Sequence, residues 1–285
     1  MRPENGRLLW FPISKETPAV SLRRKGSQRV EASSSNADNA QSAKSVQEWP
    51  LPTTSDLSVE QARGACQRAI ADGKTRLQIE LLLPLIGATD LDDWPGGIKQ
   101  QFKAAVPLVY SLLRGLVGTS SAEASKKTLL DEADAVGVWE SDSVALVLFP
   151  NAETVPDLER LAAVEGRPLL IMNPQWQAGQ VISDFGFGAR KQASEDFLAT
   201  FEPAYQLQQK RIQGEDVRIL RCYPGPYQVY LIDDRGKSDV VTSSETLPTY
   251  KEIDALLRGR VGSRASKSWL EKLMGETKFN LENKF

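Results

Sequence analysis

The sequence predicts an α/β fold: a mixed sheet with a parallel βαβ portion and an antiparallel C-terminal meander, with helices on both faces. Three observations carry that prediction. Val144 to Phe149 and Pro168 to Met172 are unbroken apolar runs joined by a helix-length stretch, Val155 to Ala163, the pattern of parallel strands buried on both faces. Downstream, short strand-like runs alternate with turn sequences. Upstream, two segments repeat their apolar residues at helical spacing.

Taken in order, Ser58-Val59-Glu60-Gln61 has the form of a capping box. Val59, Ala62, Cys66 and Ile70 then recur along one helical face until Gly73, where glycine suits a helix end. A short strand is expected at Arg76 to Leu83. A longer helix starts at Asp93-Trp94-Pro95, with Asp92 or Asp93 as cap and Pro95 in the first turn, where its missing N–H costs nothing. Its apolar face is Ile98, Phe102, Val106, Val109, Leu112, Leu113 and Leu116. Ala133 to Trp139 reads as a further strand before the βαβ unit. After Met172 comes a loop, Asn173 to Trp176, then a helix expected at about Arg190 to Glu202 and stopped by Pro203. Strands at Ala204 to Ile212, Val217 to Tyr223, Tyr227 to Asp233 and Asp239 to Thr242 are separated by Gln213-Gly214-Glu215, Pro224-Gly225-Pro226 and Asp234-Arg235-Gly236. A last helix is expected at Thr249 to Leu257.

Charge divides the 285 residues into three parts. Residues 1–50 carry eight basic and five acidic side chains, residues 258–285 seven and three, and the middle 20 and 29. The acidic middle opposes polyphosphate, so no nucleic-acid partner is expected. Residues 1–50 lack an apolar period and are read as a disordered leader. Their arginine and serine content also suits an organelle transit peptide, although Glu4 and Glu16 depart from that pattern. Residues 51–258 form a single α/β domain. Residues 259–285 are a basic tail, in which Trp269, Leu270, Leu273 and Met274 fall at helical spacing. That short amphipathic helix either packs on the body or docks on a partner or membrane surface.

The chain has no histidine and two cysteines, Cys66 and Cys222, far apart in sequence. Imidazole relays, histidine–metal sites and four-thiolate sites are therefore excluded. No catalytic residue, metal or cofactor is expected. Candidate binding residues cluster at four places. Trp94, Pro95, Gly96, Gly97 and Lys99 open a helix, where free amides attract anions; Asp92 and Asp93 oppose a phosphate there. Gly186, Gly188 and Arg190 open another helix without a complete nucleotide-loop pattern. Asp184-Phe185-Gly186 spells a kinase magnesium motif, but the other kinase elements are missing. Asn173 and Asp184 sit near strand ends, where open α/β sheets bind ligands and where polar residues also cap loops, and Trp176 shares the Asn173 loop at the carboxyl end of a central strand. Tyr223 and Tyr227 flank a rigid turn, read either as a hairpin tip or as a partner contact.

Asp93-Trp94-Pro95-Gly96-Gly97-Ile98-Lys99-Gln100-Gln101-Phe102, the Asn173-Pro174-Gln175-Trp176 loop, Thr200-Phe201-Glu202-Pro203 and Tyr223-Pro224-Gly225-Pro226-Tyr227 together resemble domain-of-unknown-function family 1995 over about residues 52 to 257. The family occurs in plants, algae and cyanobacteria. Its plant members include low photosystem II accumulation proteins, and a related segment ends a chloroplast adenylate kinase. No adenylate kinase phosphate loop occurs here. The resemblance implies a plastid protein, with the leader as its transit peptide, in the stroma or on the stromal thylakoid face. It implies a non-enzymatic factor that binds a protein partner, such as a photosystem II assembly intermediate, with peripheral thylakoid contact. The alternative is a nucleotide- or phosphate-binding domain that uses the glycine-rich helix openings.

Overall fold

The computed structural model describes residues 48–84, 97–176, 188–233 and 235–260, all within one compact unit, Ser45–Phe285. The expected leader, the tail helix, the Asp92–Pro95 helix start and Asp184 to Gly186 lie outside the described residues, apart from Glu48, Trp49 and Pro50. The elements run α1 (Ser55–Ala71), β1 (Arg76–Glu80), α2 (Gly97–Val117), α3 (Thr119–Glu123), β2 (Lys126–Asp131), β3 (Val136–Glu140), β4 (Ala145–Leu148), α4 (Val155–Ala162), β5 (Leu169–Met172), α5 (Ala189–Leu198), β6 (Glu202–Ile212), β7 (Glu215–Cys222), β8 (Tyr227–Ile232), β9 (Ser238–Ser244) and α6 (Tyr250–Gly259).

One nine-stranded sheet has the order β2-β3-β4-β5-β1-β6-β7-β8-β9. β4, β5, β1 and β6 are parallel, and β6 to β9 form the antiparallel meander. The βαβ unit is β4-α4-β5, as the two apolar runs require. Their side chains alternate between the two faces. Leu146, Leu148, Leu170 and Met172 meet α1 and α2 on the first face. Ala145, Val147, Leu169 and Ile171 meet α4 and the end of α5 on the second. Farther along, Val217, Ile219, Tyr227 and Val229 pack under α6 in a separate cluster.

Several local expectations are corrected. The cap of α1 is Thr54, whose side chain accepts from Leu57 N–H at 3.2 Å. Ser58 is buried one turn inside, with its hydroxyl 3.1 Å from the Tyr205 hydroxyl. The sequence test failed there because a serine inside a helix and a serine at its cap have the same local pattern. α5 ends at Leu198, and Glu202 and Pro203 already belong to β6. Pro203 does not stop a helix. It sits beside a register shift between β1 and β6, and such irregularities accommodate proline. β2 escapes the apolar-run criterion because it is an edge strand whose first four residues are exposed, including Lys126 and Lys127. α2 continues through Pro107. Trp49 and Pro50, inside the compositional leader, attach to the body: Trp49 N–H donates to Gln228 Oε1 at 3.0 Å, and the Pro50 carbonyl accepts from Gln61.

The first-face cluster holds Trp139, fully buried, with Phe102 stacked at 6.1 Å and Tyr110 edge-on at 6.0 Å. Gly137 permits this packing, since a Cβ there would lie 2.8 Å from the Phe102 ring. Gly137→Ala is therefore expected to destabilise the chain by about 1–3 kcal/mol in urea unfolding, and an unchanged midpoint would contradict this packing. Cys66 and Cys222 are free thiols buried in the same cluster. Burial pushes Cys66 up to about 12 and Cys222 up to about 11, from an ordinary 9.0. Both are raised, so their contribution to stability is complete below pH 9.0 and declines as pH rises toward 11–12. A thiol reagent at pH 8 is expected to label neither cysteine in the native chain and both in denaturant.

Candidate functional site

Adjacent parallel strands send their chains to opposite faces at one place in this sheet. β4 and β5 lead to α4 and α5 on the second face, whereas β1, beside β5, leads to α2 on the first. The carboxyl ends of β1 and β5 therefore flank a topological switch point, where the diverging loops leave a crevice. A cleft of about 360 Å³ lies there. Its walls are Glu80, Leu81 and Leu82 after β1, Asn173, Pro174 and Trp176 after β5, Leu207 to Lys210 of β6, and Leu247 before α6.

Asn173 shapes the crevice. Its φ of 48° is left-handed, a conformation that asparagine tolerates better than most residues. Its N–H donates to the Ile79 carbonyl at 2.8 Å, completing the β5–β1 ladder. Its side-chain amide then takes the place of the next β5 peptide group. Oδ1 accepts from Leu81 N–H at 2.9 Å, and Nδ2 donates to the Leu81 carbonyl at 2.8 Å. Gln175 braces the same loop by donating to the Phe149 and Asp134 carbonyls at 2.8 and 3.0 Å.

The second face of β1 and β6 is polar, unlike the apolar clusters on either side of it. Glu80 accepts three hydrogen bonds from glutamine amides: Gln78 and Gln206 at Oε1, both 2.8 Å, and Gln208 at Oε2, 2.7 Å. Gln206, only 4% exposed, in turn accepts from the Tyr227 hydroxyl at 2.6 Å. Arg221 continues the strip, donating to Glu202 at 2.7 Å with its guanidinium 5.0 Å from the Tyr227 ring centre. Burial holds the Tyr227 phenol above its ordinary 10.0. Glu80 is half-buried, and a carboxylate drawn partly out of water costs much less when several donors surround it. The Gln208 Oε1 atom is buried without a hydrogen-bond partner.

The sequence-selected residues separate into groups. Asn173 and Trp176 meet in the cleft. Gly97 and Lys99 open α2 and Gly188 and Arg190 open α5, all exposed and none lining the cleft. Trp94, Pro95, Gly96 and Gly186 lie outside the described residues. Tyr223 and Tyr227 are 9% and 5% exposed, so the outer surface of their turn is left mainly to Pro224, with Gly225 and Pro226 partly covered. Arg68 donates to the Tyr223 carbonyl at 2.7 Å and stacks 4.8 Å from the Trp49 ring, fastening this turn to α1. Glu80, Gln206, Gln208 and Leu247 were not singled out by sequence. The one signal was polar residues at alternate positions, Gln78 and Glu80, and Gln206 and Gln208, in strands placed at the sheet's centre.

No group of three or more His, Cys, Asp or Glu side chains arranged to hold a metal occurs among the described residues, and none of their helices is long and apolar enough to cross a membrane. A family model described as Domain of unknown function (DUF1995) matches residues 52–255. No curated protein and no solved structure matches the chain. Glu80→Gln would replace one acceptor oxygen with an N–H₂ that faces one or two of the amide donors, and is expected to cost about 1–3 kcal/mol in urea unfolding. Glu80→Gln with wild-type stability would show that the carboxylate does not organise the strip.

Proposed function

Because the chain belongs to the DUF1995 family, we propose that it is a non-enzymatic plastid factor that binds a protein partner during photosystem II assembly, and that the switch-point cleft holds that partner. The observation that carries this reading is the cleft itself, open at the carboxyl ends of β1 and β5 and walled by Trp176, Leu81, Leu82 and Leu247. Apolar side chains interspersed with the polar Glu80, Asn173, Gln208, Gln209 and Lys210 suit recognition of a polypeptide. Both oxygens of the Glu80 carboxylate already accept glutamine amides, so its hydrogen bonds join β1 to β6. That engagement favours a wall that orients a bound chain over a group that moves protons. A negative side chain at this position also disfavours the phosphate-binding alternative. The resemblance to low photosystem II accumulation proteins supports this pathway and, as its compartment, the stroma or stromal face of the thylakoid.

A fluorescent fusion is expected in the chloroplast, and loss of the protein is expected to lower photosystem II relative to photosystem I. Reintroducing the wild-type chain should restore it, whereas Trp176→Ala at equal protein level should restore it poorly. Cytosolic location, or photosystem II unchanged by loss, would overturn the proposal.

A further inference from the structure

β6 outruns its neighbour. Its pairing with β1 ends at Glu80 opposite Gln206, while its pairing with β7 continues to Ile212 opposite Glu215. The β6–β7 turn passes through Gln213 and Gly214, with φ of 52° and 82°. In a two-residue turn of this kind the flanking pair, Ile212 and Glu215, exchanges main-chain hydrogen bonds, and such pairs alternate along the ladder. At the other end Tyr223 N–H donates to the Ala204 carbonyl at 2.9 Å, in the same phase. Even-numbered residues of β6 thus bond to β7, and odd-numbered residues direct N–H and C=O toward the β1 side. Beyond Glu80 no described strand pairs with them there. The main chains of Gln209 and Arg211 therefore face a slot beside the cleft that no described strand fills. Asn173 keeps the slot open by holding Leu81 to the β5 side, after which Leu82 and Leu83 pack into the first-face cluster.

We propose that this slot receives an extended segment of the partner polypeptide, which adds to β6 as a short strand through main-chain hydrogen bonds to Gln209 and Arg211. The inference rests on the reading that the cleft holds a protein partner. Donor and acceptor pairs repeating at strand spacing are matched by another peptide main chain, the basis of recognition by strand addition. Charge adds a preference. The ion pairs of this region, Arg218–Asp216, Arg221–Glu202 and Lys74–Glu202, leave Lys210 and Arg211 without an acidic partner among the described residues. These two cations project to opposite faces of the open edge, as consecutive strand residues do. The segment is accordingly apolar where it meets Trp176 and Leu247 and acidic beside Lys210 or Arg211.

Panning a phage-displayed library of random dodecapeptides on the full-length protein is expected to enrich sequences that alternate apolar residues with at least one acid. A selected peptide should slow amide hydrogen exchange at Gln209 and Arg211 and leave Gln208 and Lys210, already bonded to β7, little changed. Gln209→Pro removes an edge donor while sparing the β7 ladder, and is expected to weaken peptide binding by about tenfold or more. N-methylation of the peptide's facing amide should do the same with the wild-type chain, so the test survives if the proline variant fails to fold. No enrichment, binding indifferent to both changes, or slowed exchange confined to other residues overturns the proposal. So does slow exchange at Gln209 and Arg211 before any peptide is added, which would assign the slot to a segment of this chain. Failure of the broader reading is distinguishable: if Gln209→Pro restores photosystem II and Trp176→Ala does not, the cleft remains the partner site and strand addition alone falls.

Discussion

The side-chain amide of Asn173 stands where the next peptide group of β5 would be, and both hydrogen-bonding groups of Leu81 close on it. This pairing ends two neighbouring strands at one level. It lets β5 turn toward the second face while β1 leaves toward the first, the divergence that makes a crevice in an open parallel sheet. The residue type follows from the geometry. The position needs a left-handed backbone together with a side chain that donates and accepts at once. Aspartate tolerates the backbone but presents only acceptors when ionised, and glycine has nothing to present.

The sheet's second face is organised by a different constraint. α4 and α6 cover separate apolar clusters, and between them β1 and β6 present glutamines and Glu80. Leaving such groups unpaired in a sheet interior would cost several kcal/mol. The three amide donors on one carboxylate remove most of that penalty and also tie β1 to β6. Their residues are distant in sequence, 126 and 128 positions from Glu80 to Gln206 and Gln208. The strip therefore exists only when β1 has its correct neighbour, so it favours this strand order over others that would bury the same apolar residues.

The turn between β7 and β8 shows how a plausible surface feature becomes structural. Tyr223 and Tyr227 flank the β7–β8 hairpin turn, which the sequence offers either as a hairpin tip or as a partner contact. The structure instead folds them inward, with Arg68 holding the Tyr223 carbonyl and Trp49 above Gly225. The tyrosine hydroxyls then serve the fold: Tyr223 donates to Asp72 at 3.1 Å and Tyr227 to Gln206. The signal missing from the sequence was Trp49, since a lone tryptophan after a polar stretch gives no indication of what it covers.

Where local pattern and burial coincide, the sequence was sufficient. The unbroken apolar runs of β4 and β5 state that both faces are covered, and the turn signals Gln213-Gly214-Glu215, Pro224-Gly225-Pro226 and Asp234-Arg235-Gly236 mark the meander. The position of Asn173 and of its loop partner Trp176 beside the cleft was legible because the carboxyl end of a central parallel strand can be read from element order. Element ends were less legible. Thr54 rather than Ser58 caps α1, and Pro203 enters a strand, because these choices depend on Tyr205 and on β1 across the fold. The neighbours of β1, the length by which β6 outruns it, and the convergence of glutamines on Glu80 were settled by tertiary pairing. Periodicity reports which face a side chain takes, but it has no term for which distant strand lies beside it.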